Sequence, residues 1–227
     1  MSSLQGVARR AGALYFLFSI VAIVGEFVIP SAMVPGGPAA TVRNIASAGT
    51  LYRVDLLIGF VTLLMFAFLV VNLHRLFRDV DGEQSMLMVV LVSIGIAVSL
   101  ANMLHKLTPL VLLSGDDYLS AFPRPQLEAM ALNALRQFSQ GAAISTTFWG
   151  LWLFPFGILV IRSGFIPRIF GILLIVAGIA YLTSSVTALV LPEHRSAVSR
   201  AMMPLYFGEV PIIFWLLFKG VRSQPAT

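Results

Sequence analysis

The chain predicts an all-α membrane protein, a polytopic bundle of six transmembrane helices, and three observations carry that expectation. Of its 227 residues, 58% are hydrophobic and only 11% charged, where a soluble domain carries about 25% charged residues. Mean hydropathy is +0.92. The apolar residues also fall in six continuous runs, each long enough at about 1.5 Å per helical residue to cross about 30 Å of hydrocarbon. Continuous runs favour helices over a barrel, whose strands alternate apolar and polar residues.

The six spans are expected at Gly12 to Met33, Leu51 to Leu73, Met86 to Leu113, Arg136 to Ile161, Ile169 to Leu191 and Met202 to Phe218. The first follows Arg9 and Arg10 but is long for a signal peptide and contains Glu26, so it reads as a retained helix. Six spans put both termini on one side. With that side cytoplasmic, its segments carry eight cations (Arg9, Arg10, Arg75, Arg78, Arg162, Arg168, Lys219 and Arg222) against four in the opposite loops (Arg43, Arg124, Arg195 and Arg200). The positive-inside rule then predicts both termini in the cytoplasm, N-in and C-in.

Between spans three and four, "SGDDYLSAFPRPQLEAMALNAL" reads as a turn and then a short amphipathic helix from Gln126 in the outer loop. Inside, "RSGFIPR" is a tight linker between spans four and five. "WGLWLFPFG" is dense enough in aromatics to pack or to touch lipid, with Pro155 as a kink. The chain has no low-complexity tract and no linker able to separate domains, so residues 1–227 are expected to form a single integral membrane domain. The echo of "VGEFVIP" in "FGEVPII" is too short to establish an internal repeat.

Composition also removes several kinds of chemistry. The net charge of +5 comes without a basic cluster interleaved with aromatics, so no nucleic-acid partner is expected. No cysteine is present, which removes disulfides, thiolate metal sites and cysteine nucleophiles. The three histidines, His74, His105 and His194, fall at different depths and match no zinc spacing, so neither metal nor other cofactor is expected. Ser184 and Ser185 lack a nucleophile-elbow motif, and serines in membrane helices usually bond backbone carbonyls.

The polar residues inside the spans are the informative ones. In "SLANMLHKLTPLVLL", Asn102, His105, Lys106 and Pro109 follow i, i+3, i+4, i+7 and share one helix face. Such a stripe is costly against lipid and is expected to face the bundle interior or a water-filled cavity. Glu26 in span one, Arg53 and Asp55 in span two, Gln137 and Gln140 in span four, and Glu209 in span six fall in the outer half or near the centre, whereas the inner halves hold almost nothing ionisable.

That asymmetry points to a vestibule opening to the outside, with Lys106 paired to Glu26 or Asp55, His105 titrating near neutral pH, and Asn102 and Gln140 orienting a ligand. The expected ligand is a small amphipathic or lipid-like molecule, the other partners being membrane lipids. A transporter, sensor or accessory protein fits this reading. Two alternatives stand beside it: an intramembrane enzyme using His105 with Glu26 or Asp55 as acid and base, and a structural assembly protein in which these groups are interhelical glue.

Four stretches carry a resemblance: "GALYFLFSIVAIVGEFVIP", "RNIASAGTLYRVDLLIG", "LWLFPFGILVIRSGFIPRIFGILLIVAGIAYL" and "GEVPIIFWLLFKGVR", with "RSGFIPRIFGILL" at residues 162–174 the most specific. In these the chain resembles a bacterial six-helix membrane family described as domain of unknown function 4386. The resemblance implies a bacterial cytoplasmic (inner) membrane protein with six helices, and brings no substrate, cofactor or catalytic residue with it. The "RSGFIPR" element is explained by the turn at Ser163 and Gly164, by Pro167 opening span five, and by Arg162 and Arg168 binding anionic headgroups.

Overall fold

A computed structural model of the chain describes residues 4–25, 40, 42, 44–45 and 49–221. Apolar runs fold as helices because a bilayer offers no partner to a backbone N–H or C=O, and a helix satisfies both internally. The long helices are α1 (Leu4–Ile23), α2 (Gly49–Phe77), α3 (Gly82–Leu112) and α4 (Arg124–Leu151). They are followed by α5 (Leu153–Ser163), α6 (Arg168–Val190), α7 (Arg195–Tyr206) and α8 (Val210–Phe214). Short 3-10 turns occupy Asp117–Ala121, Pro192–His194 and Phe207–Glu209, and a π turn closes the last helix at Trp215–Lys219. Counting α4 with α5, and the segment from Pro192 to Lys219 as one, six helical spans among the described residues are long and apolar enough to cross a membrane.

The side chains follow membrane logic. Leu57, Phe68, Leu104 and Val190 are 59%, 65%, 64% and 69% exposed, as suits side chains that face hydrocarbon. Arg9 and Arg10 sit within α1, not before it, and both are exposed. The segment from Gln126 is helical as expected, but it forms the opening turns of α4, which runs unbroken from Arg124 to Leu151. Its good helix formers extend the span directly, and the separate short helix of that loop is the 3-10 turn at Asp117–Ala121.

The break between α4 and α5 lies at Trp152. Pro155 has no N–H to give the Leu151 carbonyl, so the regular ladder stops there. The bonds from Trp152 N–H to Phe148 O, 3.2 Å, and from Phe156 N–H to Trp152 O, 3.3 Å, hold the two pieces together. The "WGLWLFPFG" segment is internal packing: Trp152, Leu153 and Phe156 are buried, and the Trp152 and Phe156 rings stack 5.2 Å apart.

The chain divides into two compact units. The first comprises the described residues within Met1–Phe18, Leu64–Val98 and Ala143–Thr227. Its core gathers Tyr15, Phe66, Leu69, Leu73, Phe77, Met88, Trp152, Phe156, Leu159, Leu174, Ile212 and Leu216. In this unit α5 and α6 approach backbone to backbone. A Cβ on Gly157 would lie 2.7 Å from the Gly171 carbonyl, and one on Gly171 2.5 Å from the Gly157 carbonyl, so only glycine fits at either place. Between those helices Gly164 turns the chain at φ 70°, a left-handed conformation that glycine adopts without steric cost. Asp81 secures the same end, pairing with Arg162 and accepting the Gln84 N–H at 3.0 Å.

The second unit comprises the described residues within Ser19–Leu63 and Ser99–Ala142. Its small core is Ile45, Tyr52 and Leu56, wrapped by Val24, Ile58, Met103, Leu110, Leu113 and Leu135. Tyr52 of this core also takes part in the polar contacts described next.

Candidate functional site

In the second unit, one turn of α3 ties α2 and α4 together. Lys106 extends its ammonium to Asp55 on α2, Nζ to Oδ2 2.6 Å. The carboxylate is almost sealed, Asp55 being 1% exposed, and the Lys106 side chain is 16% exposed. Lys106 also stands over the Phe138 ring of α4, 5.2 Å from its centroid, where the ring's negative face adds attraction for the cation. Asp55 Oδ1 has no hydrogen-bond partner among the described residues.

Around this pair the polar groups bond to backbone. Pro109 removes the donor that the His105 carbonyl would have had, and the adjacent Lys106 carbonyl accepts the Tyr52 hydroxyl at 2.6 Å. Tyr52 and Asp55 are three apart on α2, so both reach the same stretch of α3. One turn before Lys106, the Asn102 amide donates from Nδ2 to the Phe138 carbonyl at 2.9 Å. Gly141 makes room for it: a Cβ there would lie 2.1 Å from Asn102 Oδ1.

Of the nine expected site residues, the structure brings Asp55, Asn102 and Lys106 together, and it selects Asp55 as a partner of Lys106. Glu26 lies outside the described residues. Arg53, His105, Gln137 and Gln140 are exposed, and neither Arg53 nor His105 forms an ion pair among the described residues. His105 sits apart from Asn102 and Lys106 for a geometric reason. At 3.6 residues per turn, consecutive positions are about 100° apart, so Lys106 and Asn102 point into the helix contact while His105 falls at its edge.

Glu209 belongs to the first unit. It ends the Phe207–Glu209 turn, accepts a hydrogen bond from the Tyr15 hydroxyl of α1, and is also reached by the hydroxyl of Tyr181 on α6. Tyr181 stacks on Tyr206, centroids 4.4 Å apart, and the Tyr206 hydroxyl bonds Ser184. Ser185 donates to the Ala143 carbonyl and shares a hydrogen bond with Thr147, each 2.6 Å. Both serines thus act as interhelical links.

The residues absent from the expected site are Tyr52, Phe138 and Gly141 in one unit, and Tyr15, Tyr181 and Tyr206 in the other. A signal existed for the tyrosines: a phenol inside an apolar span needs a partner for its hydroxyl. Nothing in the local pattern distinguishes Phe138 from the other phenylalanines.

These features define a multi-pass helical membrane protein with polar clusters inside its spans. The chain belongs to the family described as domain of unknown function (DUF4386), whose model matches residues 10–220. It is also similar to a protein of Archaeoglobus fulgidus described as an uncharacterized protein, 34% identical over 73 residues, a match covering 32% of this chain and 42% of that relative. The chain therefore spans less than half the length of that curated relative. No solved structure matches.

Proposed function

We propose that the protein binds a small amphipathic or lipid-like molecule in a polar vestibule open to the outer face of a bacterial cytoplasmic membrane, as a transporter, sensor or accessory subunit. One observation carries this reading: the nearly sealed Asp55 carboxylate, paired with Lys106 through one oxygen and without a hydrogen-bond partner at the other among the described residues. A buried carboxylate oxygen without a donor is costly, and a ligand hydroxyl or amine would supply one. Arg53, His105, Gln137 and Gln140, all exposed, would supply the further polar groups of the vestibule.

A structural role is the second reading, supported by the bonds from Asn102 and Tyr52 to backbone carbonyls. Interhelical bonds of this kind contribute about 0.6 kcal/mol each on average in membranes and require no ligand.

Native mass spectrometry of the protein released gently from its own membrane, beside Asp55→Asn and His105→Ala, separates the two. Binding predicts a discrete bound species in the parent that is lost or weakened in both variants. The same bulk lipids on all three proteins would overturn the vestibule and leave the structural role.

A further inference from the structure

The first unit holds a carboxyl group that the proposed vestibule does not use. Glu209 is placed by backbone constraint: a Cβ at Gly208 would lie 2.6 Å from the Leu173 carbonyl, so the Phe207–Glu209 turn is pressed onto α6. Pro211, near the start of α8, holds the chain in helical φ directly afterwards. The turn thereby aims Glu209 at the tyrosines.

Among the described residues, the hydrogen-bond partners of this carboxylate are neutral. Tyr15 donates to it from α1, Tyr181 reaches it from α6, and Tyr206 of α7 backs Tyr181 through ring stacking. Tyr15 is itself 1% exposed and lies among the rings of Phe18, Trp152 and Phe156. The cations of the same helical segment are far along the axis: Lys219 and Arg200 lie about 15 Å away, and Arg195 about 20 Å, at about 1.5 Å per residue. A carboxylate held inside an apolar span with no ion-pair partner among the described residues is expensive. Two phenol donors lower that cost but leave the charge unbalanced.

We infer that Glu209 is a binding site for a compact monovalent cation, a proton or an alkali-metal ion, held by the carboxylate within the Tyr15, Tyr181 and Tyr206 cluster. Carboxylate and phenol oxygens are hard donors, suited to a compact ion. The lone pairs of the phenol oxygens also favour positive charge. The two hydroxyl donors keep the carboxyl oriented while its counter-charge comes and goes, so ion occupancy is coupled to the contact of α1 with the last span.

The test is the unfolding midpoint of the purified protein in nanodiscs, in two arms, with Glu209→Gln and Tyr15→Phe in parallel. One arm replaces sodium and potassium by a bulky organic cation at fixed pH, and the other varies pH without either metal ion. The parent is expected to respond in one arm, which identifies the ion, and Glu209→Gln, a neutral isostere, to lose that response. Tyr15→Phe, lacking one hydrogen bond to the carboxylate, should move the ion midpoint by about three- to tenfold. Identical responses of parent and Glu209→Gln in both arms would overturn the inference. Should Glu209→Gln fail to fold, an unmoved midpoint in Tyr15→Phe would overturn it equally.

Discussion

Replacing Lys106 with methionine keeps most of the apolar stem and removes the ammonium with its charge and donors, which tests the ion pair with Asp55. The carboxylate it leaves behind is 1% exposed. Breaking a buried pair from one side typically costs about 3–5 kcal/mol. The 16% exposure of the Lys106 side chain lets water reach part of the site and places the expectation near the lower end, about 3 kcal/mol. Asp55→Asn should cost less, about 1–2 kcal/mol, because an orphaned lysine can snorkel toward water. The double variant leaves no charge unpaired, so it should be more stable than the sum of the singles by about 2 kcal/mol. Equilibrium unfolding in mixed micelles measures all four proteins. Additivity of the two singles within about 0.5 kcal/mol, or a Lys106→Met cost below about 1 kcal/mol, would refute the argument that this pair is buried and coupled.

Three further outcomes follow from the packing and the charges. Gly141→Ala should destabilise by about 1–3 kcal/mol through its overlap with Asn102, and Asn102→Ala in the same chain should recover part of that loss; thermal unfolding of the single and double variants checks the order. Gly171→Ala should cost at least as much, since the atom it meets is the Gly157 carbonyl, 2.5 Å away, and a backbone atom cannot swing aside. Unfolding that matches the parent would show that α5 and α6 are not locked there. Asp81 gives a pH dependence: the Gln84 backbone N–H, then the Arg162 guanidinium, hold its carboxyl below the usual carboxylate range against an opposing effect of desolvation. The unfolded chain then binds more protons as acid is added, so this stabilisation is complete above the ordinary carboxylate pKa and lost as pH falls through the depressed one. Asp81→Asn should flatten the acid limb of the melting curve against pH, and parallel limbs in parent and variant would refute the assignment.

The membrane class, the helical architecture and the approximate positions of the spans were legible in the linear chain. Hydropathy and run length are local quantities, and a bilayer admits few backbone solutions to them. The candidate site was legible only in part. Helical periodicity placed Asn102 and Lys106 on one face, and charge named Asp55 as a possible partner. It also put His105 on the same stripe, because a period of 3.6 describes an arc and does not say how much of that arc a neighbouring helix covers.

Tertiary structure decided the pairings. Lys106 meets Asp55, Asn102 reaches a backbone carbonyl, and Tyr15 finds Glu209 across 194 residues of sequence. Those choices depend on the rotation and separation of helices within each unit, set by contacts such as Gly141 on Asn102 in the second and Gly208 on Leu173 in the first. Periodicity orients the residues within each helix; close packing between helices determines which of those residues meet.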